Sequence, residues 1–396
     1  MRKLFYLGIE SYQSRYSFQL TNWNQRVFER RGINYHLVNG GLLDNSETIV
    51  TGQVLDAHGR TFFSLTQMAE LVRLMKAGEV TQDDVVYFED MYTTGFDALG
   101  YIMDQVPQQY RPRIYVRCLA QTVDPDDFLH VWSMADWMRH YEASVNAIVS
   151  KSGGAVLASN EEMVANMRVA GWNVPIYNIS GLAFGKAEVQ SRVERINLFG
   201  ARPHRVAFAA RWDQEKQPGF FMDLAEEWHR RYPNMPVEFA VLSGAPELRS
   251  NNPQYVERAQ QLEQQGRLKI YTNLKKNDYY ALLNNTRVLF NCALQDWTSN
   301  TVSEADALGC NVLFPAYRSF PEVFANDHTR MYIPWSIDDA LRKLHILLQE
   351  QHMNTGLISD WTDKTIDRVC DIIEGRGEQW RRDSRNYRDH LAPPKY

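Results

Sequence analysis

Two stretches of this 396-residue chain gather residue types that can handle a phosphate ester. In the first, Ala210-Arg211-Trp212-Asp213-Gln214-Glu215-Lys216, an apolar run stops and two cations follow with four residues between them. Two fixed cations at a strand end suit a diphosphate, whose charge grows as it departs. The same spacing also occurs in solvated loops that hold no ligand. The second stretch runs from Asp296 through Trp297, Thr298, Ser299, Asn300 and Thr301 to Glu304 and Gly309. Thr298, Ser299 and Asn300 are small polar residues suited to capping a helix that begins near Thr301. A helix start offers free amides and the positive end of the dipole to an anion. Glu304 lies one turn inside, within reach of sugar hydroxyls, and is equally placed to close a capping box. Gly309 stops the helix in either case.

These residues need elements to hold them, and the hydrophobic pattern supplies a repeated β/α alternation. The first run has strands at 3–9, 33–38, 84–88, 112–116, 155–158 and 175–179. Helices are expected at 18–31, 65–76 and 128–149, with another opened by Ser159-Asn160-Glu161-Glu162. Residues 186–204 read as a crossover. The second run has strands at 205–210, 237–242, 268–271, 288–291 and 311–314. Helices fall between them at 220–231, 253–265, 277–284 and 301–308. From 362 the chain is helical to about 374 and again over 378–390. Two such runs predict an α/β protein of two doubly wound Rossmann-like domains facing each other across a cleft. The domains take residues 1–185 and 205–360, and 361–396 return to the first.

Ligands bind at the carboxyl ends of strands in such sheets. In the first domain those ends carry Glu89 and Asp90, then Asp124, Asp126 and Asp127 in the next loop. A carboxylate there can orient a hydroxyl or take its proton, and Asp90 is the preferred candidate. Asp124-Pro125-Asp126-Asp127 also reads as a capping turn before the following helix.

Composition bounds the class. Apolar residues make up 44%, charged 23% and aromatic 12%, which excludes a disordered or collagen-like chain. No apolar run approaches the roughly 20 residues a spanning helix needs, so no membrane partner is expected. Four scattered cysteines without CxxC spacing predict buried thiols in a reducing, cytoplasmic compartment and no zinc site. The net charge of -5 argues against binding nucleic acid through an overall basic field. Residues 1–31 depart from that mean, with six basic residues against two acidic ones, a net of +4. The segment 374–396 has six against four, a net of +2. If the chain returns to its start, these ends make one basic face; otherwise they are two solvated surfaces.

The order and spacing of Arg211, Lys216, Asp296 to Gly309 and Pro321-Glu322-Val323 resemble the retaining nucleotide-sugar glycosyltransferases of the GT-B fold, the glycogen-synthase-like superfamily. That family's motif is an acidic residue, a glycine pair, then Glu-Ala-x-Ala-x-Gly. Here Asp296 and Glu304 hold the two acidic positions, and the glycine pair is missing. Ser159 and Gly181 match the end of the family's first domain. The resemblance implies that Arg211 and Lys216 are catalytic and bind the diphosphate of a donor such as a UDP-sugar. It implies that Ser299, Asn300 and Thr301 donate amides to it and that Glu304 holds the ribose. The nucleobase then lies by Thr272, Asn273, Leu274 and Lys275, and Gly8 in the first loop belongs to the donor site. Residues 1–185 become the acceptor domain and 205–360 the nucleotide-sugar domain. The nucleotide sugar is a co-substrate, with no covalent cofactor and no metal, because the cations and the helix dipole serve in its place.

The chain as a whole also resembles phage-encoded glycosyltransferases that modify hydroxymethylated pyrimidines in DNA, which implies the host cytoplasm. Tyr12, Arg15, Tyr16, Phe18, Trp23 and Arg26 interleave aromatics with cations and fit a surface that grips backbone and stacks a flipped base. Tyr12, Arg15, Tyr16, Arg26 and Asp124 are thus the acceptor candidates, and DNA the expected partner. The alternatives are a transferase acting on an envelope polysaccharide or small molecule, and a sugar-nucleotide epimerase using Glu89 and Asp90 as acid and base. A DNA-binding protein without activity stands third.

Overall fold

The computed structural model describes residues 2–11, 16–43, 57–127, 130, 134–294, 296–324, 327–349 and 356–382. They form two compact units. The described residues up to Ala183 join those from Thr365 onward in the first unit, and Phe184 to Lys364 make the second.

The first unit is built on a six-stranded sheet of β1 (Leu4–Leu7), β2 (Tyr35–Leu37), β3 (Val85–Phe88), β4 (Arg113–Arg117), β5 (Ala155–Ala158) and β6 (Ile176–Asn178). Its order is β2-β1-β3-β4-β5-β6 and every pairing is parallel. β1, β3 and β5 are buried at every position, which is why they read as unbroken apolar runs. The second unit repeats the plan with β7 (Arg205–Phe208), β8 (Glu238–Leu242), β9 (Lys269–Tyr271), β10 (Val288–Phe290), β11 (Asn311–Pro315) and β12 (Met331–Tyr332). Its order is β12-β11-β10-β7-β8-β9, again all parallel. Each sheet grows outward from its first strand, then crosses back to the other side. The switch points lie between β1 and β3 and between β10 and β7.

In the second unit Phe208, Trp212, Phe221, Trp228, Phe239, Phe290 and Tyr332 form the centre of one core. The helix Ile337–Gln349 closes it with Ala340, Leu341, Leu344, Leu347 and Leu348, a packing that the alternation of 205–314 does not reach. Residues 186–204, read as a crossover, begin with a helix, Lys186–Ser191, that belongs to the second unit. In the first unit the helix expected at 65–76 starts earlier, at Ala57. The described part of the one expected at 128–149 is Ala135–Ser152. The second terminal helix is corrected: Glu378–Trp380 is a single tight turn, and Arg381 bridges to Tyr177 beside β6. Residues from 383 lie outside the described residues.

The helix Thr365–Ile373 packs in the first unit and buries Ile366, Val369, Cys370, Ile372 and Ile373. Its Arg368 donates to the carbonyls of Ile179 and Ser180, each at 3.0 Å. All four cysteines are buried, and no disulfide joins them.

Candidate functional site

At the β10/β7 switch point, two loops and a helix start meet. The loop after β7 is pinned by Trp212, whose ring lies in the core and whose Nε1 donates to the Tyr255 carbonyl at 3.1 Å. A single tight turn, Gln214–Lys216, then leads into the helix Pro218–Arg231. This anchoring leaves Arg211 and Lys216 on either side of Glu215. Arg211 pairs with Glu215 and, at 3.3 Å, with Asp213. Lys216 Nζ lies 3.8 Å from both Glu215 Oε1 and Asp296 Oδ1.

The loop after β10 is tied to the first one by the Leu294 amide, which donates to the Glu215 carbonyl at 2.8 Å. Asn291 holds it from inside, donating to Ser299 Oγ at 3.2 Å and accepting from the Ala293 amide at 2.9 Å. Ser319 Oγ holds it from the far side through the carbonyls of Asp296 and Trp297, each at 3.1 Å. The loop ends in the helix Asn300–Ala307, whose N-cap Ser299 makes no side-chain cap bond. Just before it the Thr298 hydroxyl is buried without a hydrogen-bond partner. An uncapped helix start beside a buried orphan hydroxyl and two cations is a place for an anion.

Glu304 lies one turn into that helix and is 3% exposed. Its Oε1 accepts from Lys276 at 2.6 Å and Tyr280 at 2.9 Å, and its Oε2 from Tyr279 at 2.9 Å. Burial, with the Glu304 charge second, pushes the Tyr279 phenol well above its ordinary range and keeps it a donor. The three donors sit on Lys276–Asn284, the helix that follows the loop Thr272 to Lys275. That loop is bound to the end of β8: the Asn273 amide donates to Ala245 at 2.7 Å and the Leu274 amide to Ser243 at 3.1 Å. The structure thus sets Arg211 and Lys216 on either side of Glu215, with Lys216 beside Asp296 in the loop that leads to Ser299, Asn300 and Thr301. It links Glu304 to the 272–275 loop through Lys276, Tyr279 and Tyr280. Sequence reasoning missed those three, although Lys276 and Tyr280 stand one helical turn apart, and read Thr298 only as a capping residue.

In the first unit, the β1/β3 switch point is filled by buried ion pairs. Arg117 and Glu89, both fully buried, meet at 2.8 Å, and Glu89 also accepts from Tyr6 at 3.3 Å and Asn24 at 3.1 Å. Burial outweighs the Arg117 charge and holds the Glu89 carboxyl above its ordinary range. Asp90 pairs with Arg60 and accepts from the Tyr92 amide at 3.0 Å, while Arg60 lies 3.6 Å from Glu10. Gly8 follows β1, and a Cβ there would stand 3.2 Å from Thr21 Oγ1. Asp124 accepts from the Asp126 amide at 3.1 Å and closes a turn.

In the basic, aromatic surface expected of the first loop, the stacking role of Trp23 is corrected. Trp23 is buried and presents no stacking face, and Tyr16 OH donates to the Ala183 carbonyl at 2.5 Å. Arg30 pairs with Asp367 at 2.6 Å. Arg31 pairs with Asp367 at 3.3 Å, Asp371 at 2.5 Å and Glu374 at 2.8 Å. The returning helix and Glu374 therefore neutralise Arg30 and Arg31, while the basic segment 374–396, expected to extend their charge, is described only to Arg382. Arg26 is exposed, and Tyr12 and Arg15 lie outside the described residues. Among the described residues, no group of three or more His, Cys, Asp or Glu is placed to hold a metal ion. None of their helices is long and apolar enough to cross a membrane.

No family model and no curated protein matches the sequence. Solved structures do match its fold. Sucrose-phosphate synthase from Thermosynechococcus elongatus is 11% identical with a TM-score of 0.57, covering 99% of this chain and 100% of its own. The UDP-forming alpha,alpha-trehalose-phosphate synthase from Burkholderia vietnamiensis is 13% identical, with a TM-score of 0.57 and coverage of 98% and 100%. Anabaena Alr3699/HepE, solved in complex with UDP and glucose, is 12% identical, with a TM-score of 0.53 and coverage of 96% and 98%. At such identities the likeness shows the fold, the GT-B plan of two parallel-sheet α/β units.

Proposed function

We propose that this protein is a glycosyltransferase that moves a sugar from a nucleotide diphosphate, a UDP-sugar first among them, to an acceptor hydroxyl. The observation that carries the reading is that the loop of Arg211 and Lys216, after β7, and the loop that ends in the uncapped helix start at Ser299, after β10, leave adjacent strands, with Lys216 3.8 Å from Asp296. The UDP and glucose bound by a protein of the same fold support it. On this reading Arg211, Lys216 and the helix amides meet the charge that develops on the departing diphosphate. Retention follows if a diphosphate oxygen takes the acceptor proton on the same face, so that the protein supplies position more than a strong base. Asp90, held by Arg60, is the carboxylate proposed to orient the acceptor. The epimerase alternative needs an acid–base pair in the first unit, and the commitment of Glu89 to Arg117 counts against it.

For the acceptor, the proposal from the sequence is the hydroxymethyl group of a modified pyrimidine in DNA. Exposed Arg26 supports it, and the pairing of Arg30 and Arg31 with acids weighs against it. Incubation with UDP-sugars and either hydroxymethylated DNA or small alcohols, read by mass, separates the acceptors. Arg211→Ala and Lys216→Ala should each lower kcat/KM by about 2–4 kcal/mol of transition-state stabilisation while the protein stays folded. Folded variants with wild-type turnover would remove the donor-site assignment, whatever the acceptor.

A further inference from the structure

We propose that Arg318 is a third cation of the donor site and meets the sugar-bearing end of the diphosphate, an inference that rests on the donor reading above. Arg318 lies in the loop after β11 and has a φ of 49°, a left-handed conformation that side-chain-bearing residues rarely adopt. Its neighbour Ser319 fastens that loop to the carbonyls of Asp296 and Trp297. The Arg318 guanidinium carbon stands 5.1 Å from the centre of the buried Trp297 ring, and Nη1 is 3.5 Å from the Leu294 carbonyl. The strained backbone thus sets a stacked cation over the residue that immediately precedes orphaned Thr298. A guanidinium lying on an aromatic face keeps its edge N–H groups, which match phosphate oxygens.

Charge in the three loops points the same way. The loops after β7 and β10 set two cations, Arg211 and Lys216, against three carboxylates, Asp213, Glu215 and Asp296. That imbalance disfavours a diphosphate, and Arg318 from the third loop cancels it. Sheet order gives the direction. β11 flanks β10 on the side away from β7, β8 and β9. With the nucleobase by the loop after β9 and the diphosphate at the ends of β7 and β10, Arg318 falls beyond them, toward the sugar.

Calorimetric titration of the full chain with UDP and with UMP tests this. Arg318→Gly suits the left-handed backbone and removes only the side chain, and Arg318→Lys keeps the charge without the planar fork; thermal melting confirms that both fold. The expected result is that Arg318→Gly weakens UDP binding about tenfold or more, leaves UMP within about twofold, and that Arg318→Lys recovers part of the loss. A glycine variant that binds UDP as the wild type does, or that loses UDP and UMP equally, overturns the proposal and leaves the donor site standing. A wild-type protein that binds no nucleoside diphosphate overturns the donor reading and this inference together.

Discussion

Glu304 shows what burial does to a residue that the sequence marks only as one turn into a helix. Its carboxylate is closed in by Lys276, Tyr279 and Tyr280, so truncation removes an internal acceptor as well as any ribose contact. Glu304→Ala should lower unfolding free energy by about 2 kcal/mol or more, and Tyr280→Phe, which deletes one donor, by about 1 kcal/mol. Denaturant titration gives both numbers. If Glu304 also holds the ribose, the alanine variant loses UDP affinity while still folded and Tyr280→Phe keeps it. Equal UDP affinity in both would make Glu304 a purely internal residue. The thiols allow a second test at this scale. Burial pushes Cys310 and Cys370 up to about 12, with Cys118 and Cys292 raised as well. At pH 8 a thiol of that pKa is about one part in ten thousand thiolate, so a disulfide reagent should leave the native protein unmodified. After denaturation all four should react, and fast labelling of the native protein would contradict their placement.

At the scale of elements, Gly153 and Gly154 join a helix to β5 for two different reasons. Gly153 caps the helix Ala135–Ser152 with a φ of 64°, and its surroundings are open. Gly154 is needed for space: a Cβ there would lie 1.8 Å from the Ile114 carbonyl oxygen of β4. Gly153→Ala should therefore cost about 1 kcal/mol, the price of a left-handed alanine. Gly154→Ala must push β4 from its neighbour and should cost about 3 kcal/mol or more. Thermal melts of the two variants check the order, and equal shifts would mean that the turn rearranges freely. The glycine pair marks a turn in the sequence. Which member is crowded depends on a strand some 40 residues earlier, which no local pattern shows.

For the whole molecule, the decisive feature is a helix that belongs to the unit where the chain begins. Thr365–Ile373 buries five apolar side chains there, each worth about 1.5–3 kcal/mol. A chain ended after Lys364 should fail to give a folded first unit, seen as loss of the cooperative melt. The same helix supplies the acids that meet Arg30 and Arg31. Changing Asp367, Asp371 and Glu374 to their amides should release both arginines. The salt dependence of DNA binding, measured by anisotropy, should then steepen by up to about two phosphate contacts. An unchanged slope would mean that neither arginine faces DNA even when released.

The sequence by itself determined the two β/α runs, because a strand buried on both faces must be apolar throughout and a helix must repeat its apolar face every third or fourth residue. It also determined the donor-site candidates in the second unit, since Arg211, Lys216 and the small polar residues at 298–301 lie within two short segments whose chemistry is local. Only the tertiary structure decided what those groups touch. Glu215 came between the cations, Arg318 arrived from a different loop, and Lys276 with its tyrosines closed over Glu304. It also decided the fate of the basic N-terminal segment, whose partners lie more than 330 residues away. Periodicity reports the environment of a residue along its own strand or helix. Ion pairing and burial depend on which distant segments the sheet order brings to the same edge, and that information is held by no segment alone.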